Sequence, residues 1–346
     1  MQKVLRIGTR DSQLAVWQAT LVQGLLKYAG VISELVYIKS EGDIDTVTPL
    51  YALGVTGVFT KTLDTALLNN RIDIAVHSMK DVPVQLAEGI RQAAVLKRGS
   101  YKDILVLHPG LVERKTEITE MRVSISKSGT RKKDSSWSVP LRQNADKTGE
   151  LESVIIATSS IRRIAQWLNR YPHDKIENLR GNVNTRLRKL NESEWHGAIF
   201  AAAGLERIHL RPKNSIELDW MLPAPAQGAI MIVCREQDDF AFQSCHSFND
   251  DKTALCTKIE REFLSRLMGG CSTPISGLAK ISGENVRFLG NIVSPDGKEL
   301  IDIGVHMPIK ESSKIASIAA ESILTRGGQA IIDRIRNNGL TTNGEV

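Results

Sequence analysis

Residues 72–83 read IDIAVHSMKDVP, a short apolar run followed by a polar loop and a proline. The apolar part, residues 72–76, has the length and composition of a buried strand. Residues 77–81 are mostly polar, and Pro83 prevents a regular element from continuing beyond them. This stretch predicts a strand that delivers Ser78, Lys80 and Asp81 to one edge of a sheet.

The neighbouring sequence extends this unit toward the N-terminus. Residues 4–8 and 34–38 read as further strands, and between them Leu14, Leu21 and Leu25 belong to an apolar stripe of helical spacing. Strands that alternate with helices form a mostly parallel sheet covered by helices. We therefore predict an α/β domain.

The same alternation returns after residue 150, where residues 153–157, 175–179 and 198–202 read as strands. Between the two units, residues 112–150 are polar and carry a basic cluster at 127–133. We interpret the whole stretch as an insertion or mobile loop, and its simplest role is that of a solvated linker. We predict three domains. Their limits are 1–108 with a return strand at 229–245, 109–222 with an insertion near 112–150, and an α+β domain at 246–346.

Composition narrows the class of protein. Of the 346 residues 42% are hydrophobic and 24% charged, as in ordinary globular proteins. No apolar run approaches the ~18 residues of a membrane span, and the first residues lack the apolar segment of a signal peptide. We therefore expect a cytoplasmic protein without a membrane partner. The four cysteines form no CxxC pair and the seven histidines are scattered, so neither disulfides nor a metal site is predicted.

The clearest chemical signal is a pair of arginines at a helix start. Ser159 or Ser160 is suited to cap this helix, which places Arg162 and Arg163 in its first turn. Cations there oppose the helix dipole at a cost of about 0.3–1 kcal/mol each, and local rules often fail where function requires it. Backbone N–H groups, hydroxyls and guanidinium groups together make a cradle for carboxylate or phosphate. The alternative is that both arginines are solvated surface residues.

Further arginines follow the ends of other predicted strands. Arg180 precedes a helix in which Arg186 lies one turn in, and Arg10 follows the first strand. Such turns line the crevice where open α/β sheets bind ligands. Several arginines there predict a ligand with several negative charges, and paired carboxylates suit their bidentate forks. The motifs GxxxxGK[ST] and GxGxxG are absent, so no nucleotide site is supported.

Asp81 and Cys271 each allow two interpretations. Asp81 is placed to accept a hydrogen bond from a ring N–H and to stabilise a developing cation, or it caps a helix next to Pro83. Cys271 follows two glycines after a predicted helix. It is either a reactive thiolate on an open turn or a small buried cysteine after a helix stop. The residues alone leave these alternatives open.

Taken together, the segments resemble the signature segments of the porphobilinogen deaminase family, in the same order. The resemblance covers nearly the whole chain except residues 112–150, and the run at 75–83 is highly specific. The matching segments are RIGTRDSQLA (6–15), AVHSMKDVP (75–83), TSSIRR (158–163), LRGNVNTRL (179–187), AGLER (203–207), QGA (227–229) and GGC (269–271).

The resemblance implies an enzyme that joins four porphobilinogen molecules, with release of ammonia, into the linear tetrapyrrole hydroxymethylbilane. It implies that Cys271 holds a dipyrromethane cofactor through a thioether. It implies that Asp81 is the catalytic aspartate, which hydrogen-bonds pyrrole N–H groups and stabilises the cationic azafulvene formed when ammonia leaves. The other implied cofactor contacts are Lys80, Ser12, Thr158, Ser159, Ser160, Arg162, Arg163 and Arg186. The implied substrate contacts are Arg10, Arg162, Arg163, Arg180, Arg186, Arg207 and Gln227.

The fold implied is two α/β domains like those of periplasmic binding proteins, around a cleft, plus a smaller C-terminal α+β domain that carries the cysteine. Thr56 departs from the family pattern, which often has lysine there, so the contact of that lysine is not carried over.

Two other functions compete with this interpretation. A non-catalytic two-domain protein that binds small anions shares the cleft, but predicts a signal peptide or a DNA-binding helix-turn-helix. A nucleic-acid protein suits the net charge of +6 and the basic cluster, but requires interleaved aromatic residues, and aromatics make up only 5% of the chain. We therefore expect a monomer that binds porphobilinogen, without nucleic acid.

Overall fold

The computed structural model of the chain describes residues 3–39, 60–111, 153–267 and 273–341. Thr56, the segment 112–150 with its basic cluster, and Cys271 lie outside the described residues. The described part contains three sheets.

Strands and helices alternate through the first two sheets, as the apolar periodicity predicts. The strands are β1 (Leu5–Thr9), β2 (Ser33–Tyr37), β3 (Ile74–Ser78), β4 (Ile90–Val95), β5 (Asp103–Leu107), β6 (Ile155–Ala157), β7 (Lys175–Glu177), β8 (Gly197–Ala201), β9 (Ser215–Glu217), β10 (Ile230–Arg235), β11 (Ile275–Ser282), β12 (Asn285–Val293) and β13 (Leu300–Pro308). The α-helices are α1 (Gln13–Tyr28), α2 (Lys61–Leu68), α3 (Ile161–Arg170), α4 (Val183–Asn191), α5 (Ala202–Arg207), α6 (Asp239–His246), α7 (Asp251–Arg266), α8 (Ile315–Ile323) and α9 (Gln329–Thr341). Short 3-10 turns lie at Met79–Asp81, Pro109–Leu111 and Ile309–Lys314, and a π-helical segment lies at Leu324–Gly328.

The first two sheets share one topology. The first runs in the order β2-β1-β3-β10-β4 and the second in the order β7-β6-β8-β5-β9. In each sheet the first three strands are parallel, and the fourth is antiparallel to both neighbours. Parallel neighbours require crossover connections, which helices supply here. The repeated order confirms the prediction of two similar α/β units.

The apolar run that begins at residue 72 is buried on both faces of the first sheet. Ile74 and Val76 pack in one cluster with the helix α1, while Ala75 packs in a second cluster with α2. Alternate residues of a strand point to opposite faces, so a strand covered by helices on both sides is apolar throughout. This arrangement explains why residues 74–76 are all apolar, whereas Asp73, just before β3, is buried as the ion-pair partner of Arg6 and Arg235.

Two strands, β10 and β5, pair away from their neighbours in the sequence. The return strand β10 lies between β3 and β4 in the first sheet, within the predicted segment 229–245. However, β5 pairs with β8 and β9 in the second sheet, although the predicted first domain, 1–108, includes it. The change of sheet therefore falls between β4 and β5. The domain limits themselves stay predictions.

The C-terminal unit is a three-stranded antiparallel sheet in the order β11-β12-β13. The helices α7 and α8 contribute side chains to its core, where the rings of Phe263 and Phe288 are both fully buried and meet edge to face with centroids 4.9 Å apart. This is the smaller α+β unit that the sequence predicts.

A buried ion pair joins the three units. Glu260 on α7 is fully buried and accepts two hydrogen bonds from Arg98, at 2.6 and 3.0 Å. Its carboxylate also accepts from the backbone N–H groups of Ala226, at 2.6 Å, and Ala279, at 2.8 Å. Arg98 follows β4, Ala226 precedes β10, and Ala279 lies in β11, so one carboxylate ties the third sheet to both segments that connect the first two.

We expect Glu260→Ala to lower the free energy of unfolding by about 3–5 kcal/mol, because Arg98 loses its carboxylate in a buried setting. Chemical denaturation measures this loss. Glu262→Ala is the matched control on the same helix: its side chain is 40% exposed and lies 3.9 Å from Lys258. The control is expected to change the free energy by no more than about 0.5 kcal/mol. Equal losses of unfolding free energy in the two variants would contradict the proposal that Glu260 holds the three units together.

Candidate active site

Polar side chains from both sheets lie at the carboxyl ends of parallel strands, where open α/β sheets bind ligands. In the first sheet, β1 leads to Ser12, whose hydroxyl caps α1 by accepting from the N–H of Ala15 at 3.4 Å. The strand β3 leads to the turn with Lys80 and Asp81. In the second sheet, β6 leads to Thr158 and the first turn of α3, and β7 leads to the N-terminus of α4. We call the space between these two sets of strand ends the cleft.

The two sets of strand ends approach each other across the cleft. Burial, together with the positive charges of Arg163 and Arg162, lowers the pKa of Lys80 to about 8, although the carboxylates of Asp81 and Asp103 oppose the shift. These four charges therefore lie near its ammonium group.

At the mouth of the cleft, α1 and α4 touch directly. The side-chain amide of Asn184 donates to Oε1 of Gln13 at 2.9 Å, and both groups are exposed. Of the predicted site residues, Lys80 and Asp81 of the first sheet therefore lie near Arg162 and Arg163 of the second.

Asp103, the first residue of β5, lies at the centre of the arginine group. Its carboxylate is fully buried. Oδ1 accepts from Nε and Nη2 of Arg163, at 3.1 and 2.8 Å, and Oδ2 lies 2.8 Å from Nη1 of Arg162. The side chain of Gln227 donates to the same carboxylate at 3.0 Å. Burial alone raises the pKa of Asp103, but the two guanidinium groups outweigh it and lower the pKa to about 2.

This carboxylate explains how two arginines are tolerated in the first turn of α3. Both are 4% exposed, so the alternative of solvated surface arginines is wrong. Arg163 also donates to the carbonyl of Ile199 at 2.8 Å, and Arg162 to that of Leu222 at 2.9 Å. Ser160 takes the N-cap position but its side chain makes no capping hydrogen bond. The N-terminal N–H groups of this helix are thus left without a side-chain cap.

Arg186 and Arg180 add further positive charge on the second-sheet side. Nε of Arg186 donates to the carbonyl of Gly181 at 2.7 Å. Burial lowers the pKa of Arg186 to about 10, with Arg163 adding to the effect and Asp81 opposing it. Arg180 is only 3% exposed. Within the part of the chain that the structure describes, the cations Lys80, Arg162, Arg163 and Arg186 outnumber the nearby carboxylates of Asp81 and Asp103.

An excess of buried cations is unfavourable until anions compensate it, because the low-dielectric interior solvates charge poorly. The arrangement therefore fits a ligand with several carboxylates. It also fits the acetate and propionate side chains of a dipyrromethane, since guanidinium forks bind carboxylates in two-point contacts.

Several predicted contact residues are engaged within the protein. The hydroxyl of Ser159 donates to the carbonyl of Leu179 and accepts from its N–H. Thr158 is buried, and its hydroxyl accepts from the N–H of Ser160 at 3.3 Å. The side chain of Gln227 donates to the carbonyl of Tyr101 at 2.8 Å as well as to Asp103. These hydrogen bonds hold the side chains in place, and their contacts to cofactor or substrate stay predictions.

Arg207 and Arg10 lie beside this group. Nη2 of Arg207 donates to the carbonyl of Gly228 at 2.6 Å, and its guanidinium lies over the ring of Trp17, 5.8 Å from the centroid. Burial lowers the pKa of Arg207 to about 10. Arg10 is half-buried near His77 and helps to lower the pKa of that imidazole.

Asp103 and His77 were not among the predicted site residues. Asp103 begins a strand that is otherwise apolar, DILVL, and a carboxylate in such a run is a signal that a partner cation exists. His77 is 6% exposed and its Nε2 has no hydrogen-bond partner. Burial, and then Arg10, lower its pKa to about 4, so the imidazole is neutral at pH 7. The apolar sequence of β3 does not indicate that the imidazole of His77 is neutral.

The described residues form neither a metal-binding cluster nor a membrane-spanning helix. Among residues 3–39, 60–111, 153–267 and 273–341, no cluster of three or more His, Cys, Asp or Glu is arranged to hold a metal ion. In the same residues no helix has the length and apolar character to cross a bilayer.

Family models match most of the chain. One described as "Porphobilinogen deaminase, dipyromethane cofactor binding domain" matches residues 5–243, and one described as "Porphobilinogen deaminase, C-terminal domain" matches residues 254–325.

Curated relatives agree over nearly the full length. The porphobilinogen deaminase of Acidithiobacillus ferrooxidans is 34% identical over 347 residues, covering 97% of this chain and 100% of its own. That of Syntrophotalea carbinolica is 36% identical over 332 residues, covering 95% of both chains.

Solved structures with a similar fold are more remote. The methionine binding protein MetQ is 13% identical with a TM-score of 0.38, covering 72% of this chain and 92% of its own. The periplasmic VFT2 domain of Bordetella pertussis BvgS is 12% identical with a TM-score of 0.37, covering 72% of this chain and 90% of its own.

The sequence matches span both the cleft and the C-terminal unit, at an identity and coverage that establish descent. The chain belongs to the porphobilinogen deaminase family, the hydroxymethylbilane synthases of tetrapyrrole biosynthesis, which carry a dipyrromethane cofactor.

Proposed function

We propose that the reaction of this family takes place in the cleft, with Asp81 as the catalytic carboxylate and Cys271 as the attachment point of the dipyrromethane. The observation that carries the proposal is the excess of cations around Asp103, opposite an exposed carboxylate at Asp81. The dipyrromethane supplies the primer to which porphobilinogen is added. The protein must hold many carboxylates and stabilise one transient cation.

The arginines of α3 and α4 hold the carboxylates. Each porphobilinogen brings an acetate and a propionate group, so negative charge accumulates as the chain grows. Arg162 and Arg163 are oriented by Asp103, and Arg186 is oriented by the carbonyl of Gly181. Preoriented forks lose little side-chain entropy on binding, and they replace the hydration that the carboxylates lose.

Asp81 acts on the opposite charge. When ammonia leaves porphobilinogen, positive charge develops on the pyrrole ring. A nearby carboxylate stabilises this charge and accepts a hydrogen bond from the ring N–H. The arginines surround the site with positive charge that disfavours such a cation. An anionic group at the reacting ring is therefore required, and Asp81 is an exposed carboxylate at the end of β3.

The attachment at Cys271 rests on the resemblance of the GGC segment, because this residue lies outside the described part of the chain. The cysteines within the described residues support it indirectly. Cys234, Cys245 and Cys256 are all buried, and burial raises the pKa of Cys245 to about 12 and that of Cys256 to about 11. Such thiols are poor nucleophiles at neutral pH.

Family membership does not favour the alternative of a non-catalytic anion-binding protein. A monomer that works in the cytoplasm, without nucleic acid, remains a prediction from the sequence. Light scattering of the purified protein tests the oligomeric state.

Intact mass spectrometry tests the attachment. Purified holoenzyme is expected to exceed its sequence mass by about two pyrrole units, because the thioether is covalent. Cys271→Ser is expected to lack the added mass, whereas Cys256→Ser retains it. An active enzyme with an unmodified thiol at residue 271 refutes the attachment.

Asp81→Asn tests the catalytic carboxylate. The amide keeps the size of the side chain but loses its negative charge. We expect the holoenzyme mass and thermal stability to be retained while kcat falls by at least about 100-fold, in line with the loss of an electrostatic group that acts in the transition state. A rate close to that of the wild-type enzyme contradicts the assignment.

Arg186→Gln tests the carboxylate-binding role against a control on the same helix. A charge-assisted contact contributes about 1.5–3 kcal/mol, so porphobilinogen incorporation should fall roughly tenfold or more. The free energy of unfolding should change by less than about 1 kcal/mol, because loss of the Gly181 contact is offset by removal of a poorly solvated cation. Arg188→Gln changes a side chain that is 65% exposed and should alter neither quantity. Equal activity of the two variants contradicts the proposal.

A further inference from the structure

A single arginine of the C-terminal unit holds the turn that carries Asp81. Arg261 on α7 is 8% exposed. Its Nη1 donates to the carbonyl of Val82 at 2.9 Å and lies 3.4 Å from that of Met79. Its Nη2 donates to the carbonyls of Pro83, at 2.6 Å, and Val84, at 3.0 Å. One guanidinium therefore binds backbone on both sides of Lys80 and Asp81.

The turn has little other support in its own backbone. The 3-10 turn Met79–Asp81 is closed by one hydrogen bond, from the N–H of Val82 to the carbonyl of Met79 at 3.2 Å. On the side of β10, the N–H of Met79 donates to the carbonyl of Ala229 at 3.0 Å. The carbonyls of Val82, Pro83 and Val84 follow Asp81 and belong to no strand, so a sheet ladder does not provide their donor. Arg261 supplies that donor.

We propose that Arg261 is a positioning residue for Asp81. It acts through the backbone of residues 79–84 and sets where the carboxylate stands in the cleft. The inference rests on the proposed function, in which Asp81 stabilises the cation on the reacting pyrrole. Its physical basis is that an error of about 1 Å in the placement of a catalytic group can lower a rate on the order of 100-fold.

Only an arginine fits this arrangement. The guanidinium is planar, and its fixed fork reaches several carbonyls at once. The ammonium of a lysine keeps the charge but is a single point, so it cannot span the same set of acceptors. Arg261→Lys therefore removes the positioning with the least change in charge and volume.

Arg235 provides a matched control, because it lies beside the start of β3, whereas the turn with Asp81 follows the end of β3. It too is largely buried and donates to backbone carbonyls, those of Leu67 and Ile72, and it pairs with Asp73 beside the start of β3. Arg235→Lys therefore perturbs an equivalent contact of the first sheet at a distance from Asp81.

The experiment compares steady-state kinetics of the two lysine variants as holoenzymes, with cofactor loading checked by intact mass. We expect Arg261→Lys to lower kcat by about 10- to 100-fold with KM changed less than threefold. Arg235→Lys should lose similar thermal stability yet keep kcat within about threefold of the wild-type value. Equal losses of kcat in the two variants overturn the inference, as does a normal kcat in Arg261→Lys.

A double variant separates this inference from the proposed function. If Arg261 acts through Asp81, Arg261→Lys should have less than about a threefold effect on kcat in an Asp81→Asn background, because coupled residues are not additive. Independent, multiplying effects overturn the inference. If Asp81→Asn alone keeps its rate, the catalytic role of Asp81 fails, and with it the inference. If Asp81→Asn loses its rate while Arg261→Lys keeps it, only the inference fails.

Hydrogen exchange provides a readout that does not depend on turnover. In Arg261→Lys, amide exchange should accelerate in a peptide spanning residues 79–84 and stay unchanged in one spanning β5, since only the turn loses its donor. Uniform acceleration, or none, counts against the positioning role. If the lysine variant does not accumulate, Arg261→Gln, which keeps one amide donor, is measured in the same way.

Discussion

The carboxylate of Asp103 is the charge on which the cleft depends. Two guanidinium groups lie in the first turn of α3, where they repel each other and the positive end of the helix dipole. A fully buried carboxylate between them, held also by Gln227, makes that arrangement stable. The chain passes from the first sheet to the second between β4 and β5, and it returns between β9 and β10. Asp103 begins β5, directly after the first of these segments, and Gln227 lies in the second. One anion therefore locks the arginines of the second sheet to both segments that join it to the first.

The carboxylate of Asp103 leaves the cleft with a net positive charge. It cannot neutralise Arg162, Arg163, Arg186 and Lys80 together, and burial lowers the pKa of the last two. The protein therefore maintains oriented cations whose solvation is poor until ligand carboxylates arrive. Orientation before binding is the main means by which a protein stabilises charge without reorganising itself. An added pyrrole brings negative groups to a place already arranged to receive them.

The sequence pattern predicts the two α/β units and the arginines that follow their strands, because strand ends and arginines are local features. It fails where the determining contact is distant in sequence. Asp103 and Arg163 are linked by no local pattern, since sixty residues separate them. In sequence, strand β5 follows directly on the strands of the first sheet. Only its pairing with β8 shows that it belongs to the second sheet. Arg261 reads as an ordinary polar position beside the apolar stripe of α7, and its acceptors are carbonyls, which no side-chain pattern records.

The contact at the mouth of the cleft differs in kind from those at its floor. Gln13 and Asn184 meet through neutral amides exposed to water, so solvent can replace their hydrogen bond at a net cost of only about 0.5–1.5 kcal/mol. Parting the ion pairs of Asp103 leaves buried charges without partners, which requires several times more free energy. The contact between α1 and α4 can therefore open at a small fraction of the cost of separating Arg162 and Arg163 from Asp103.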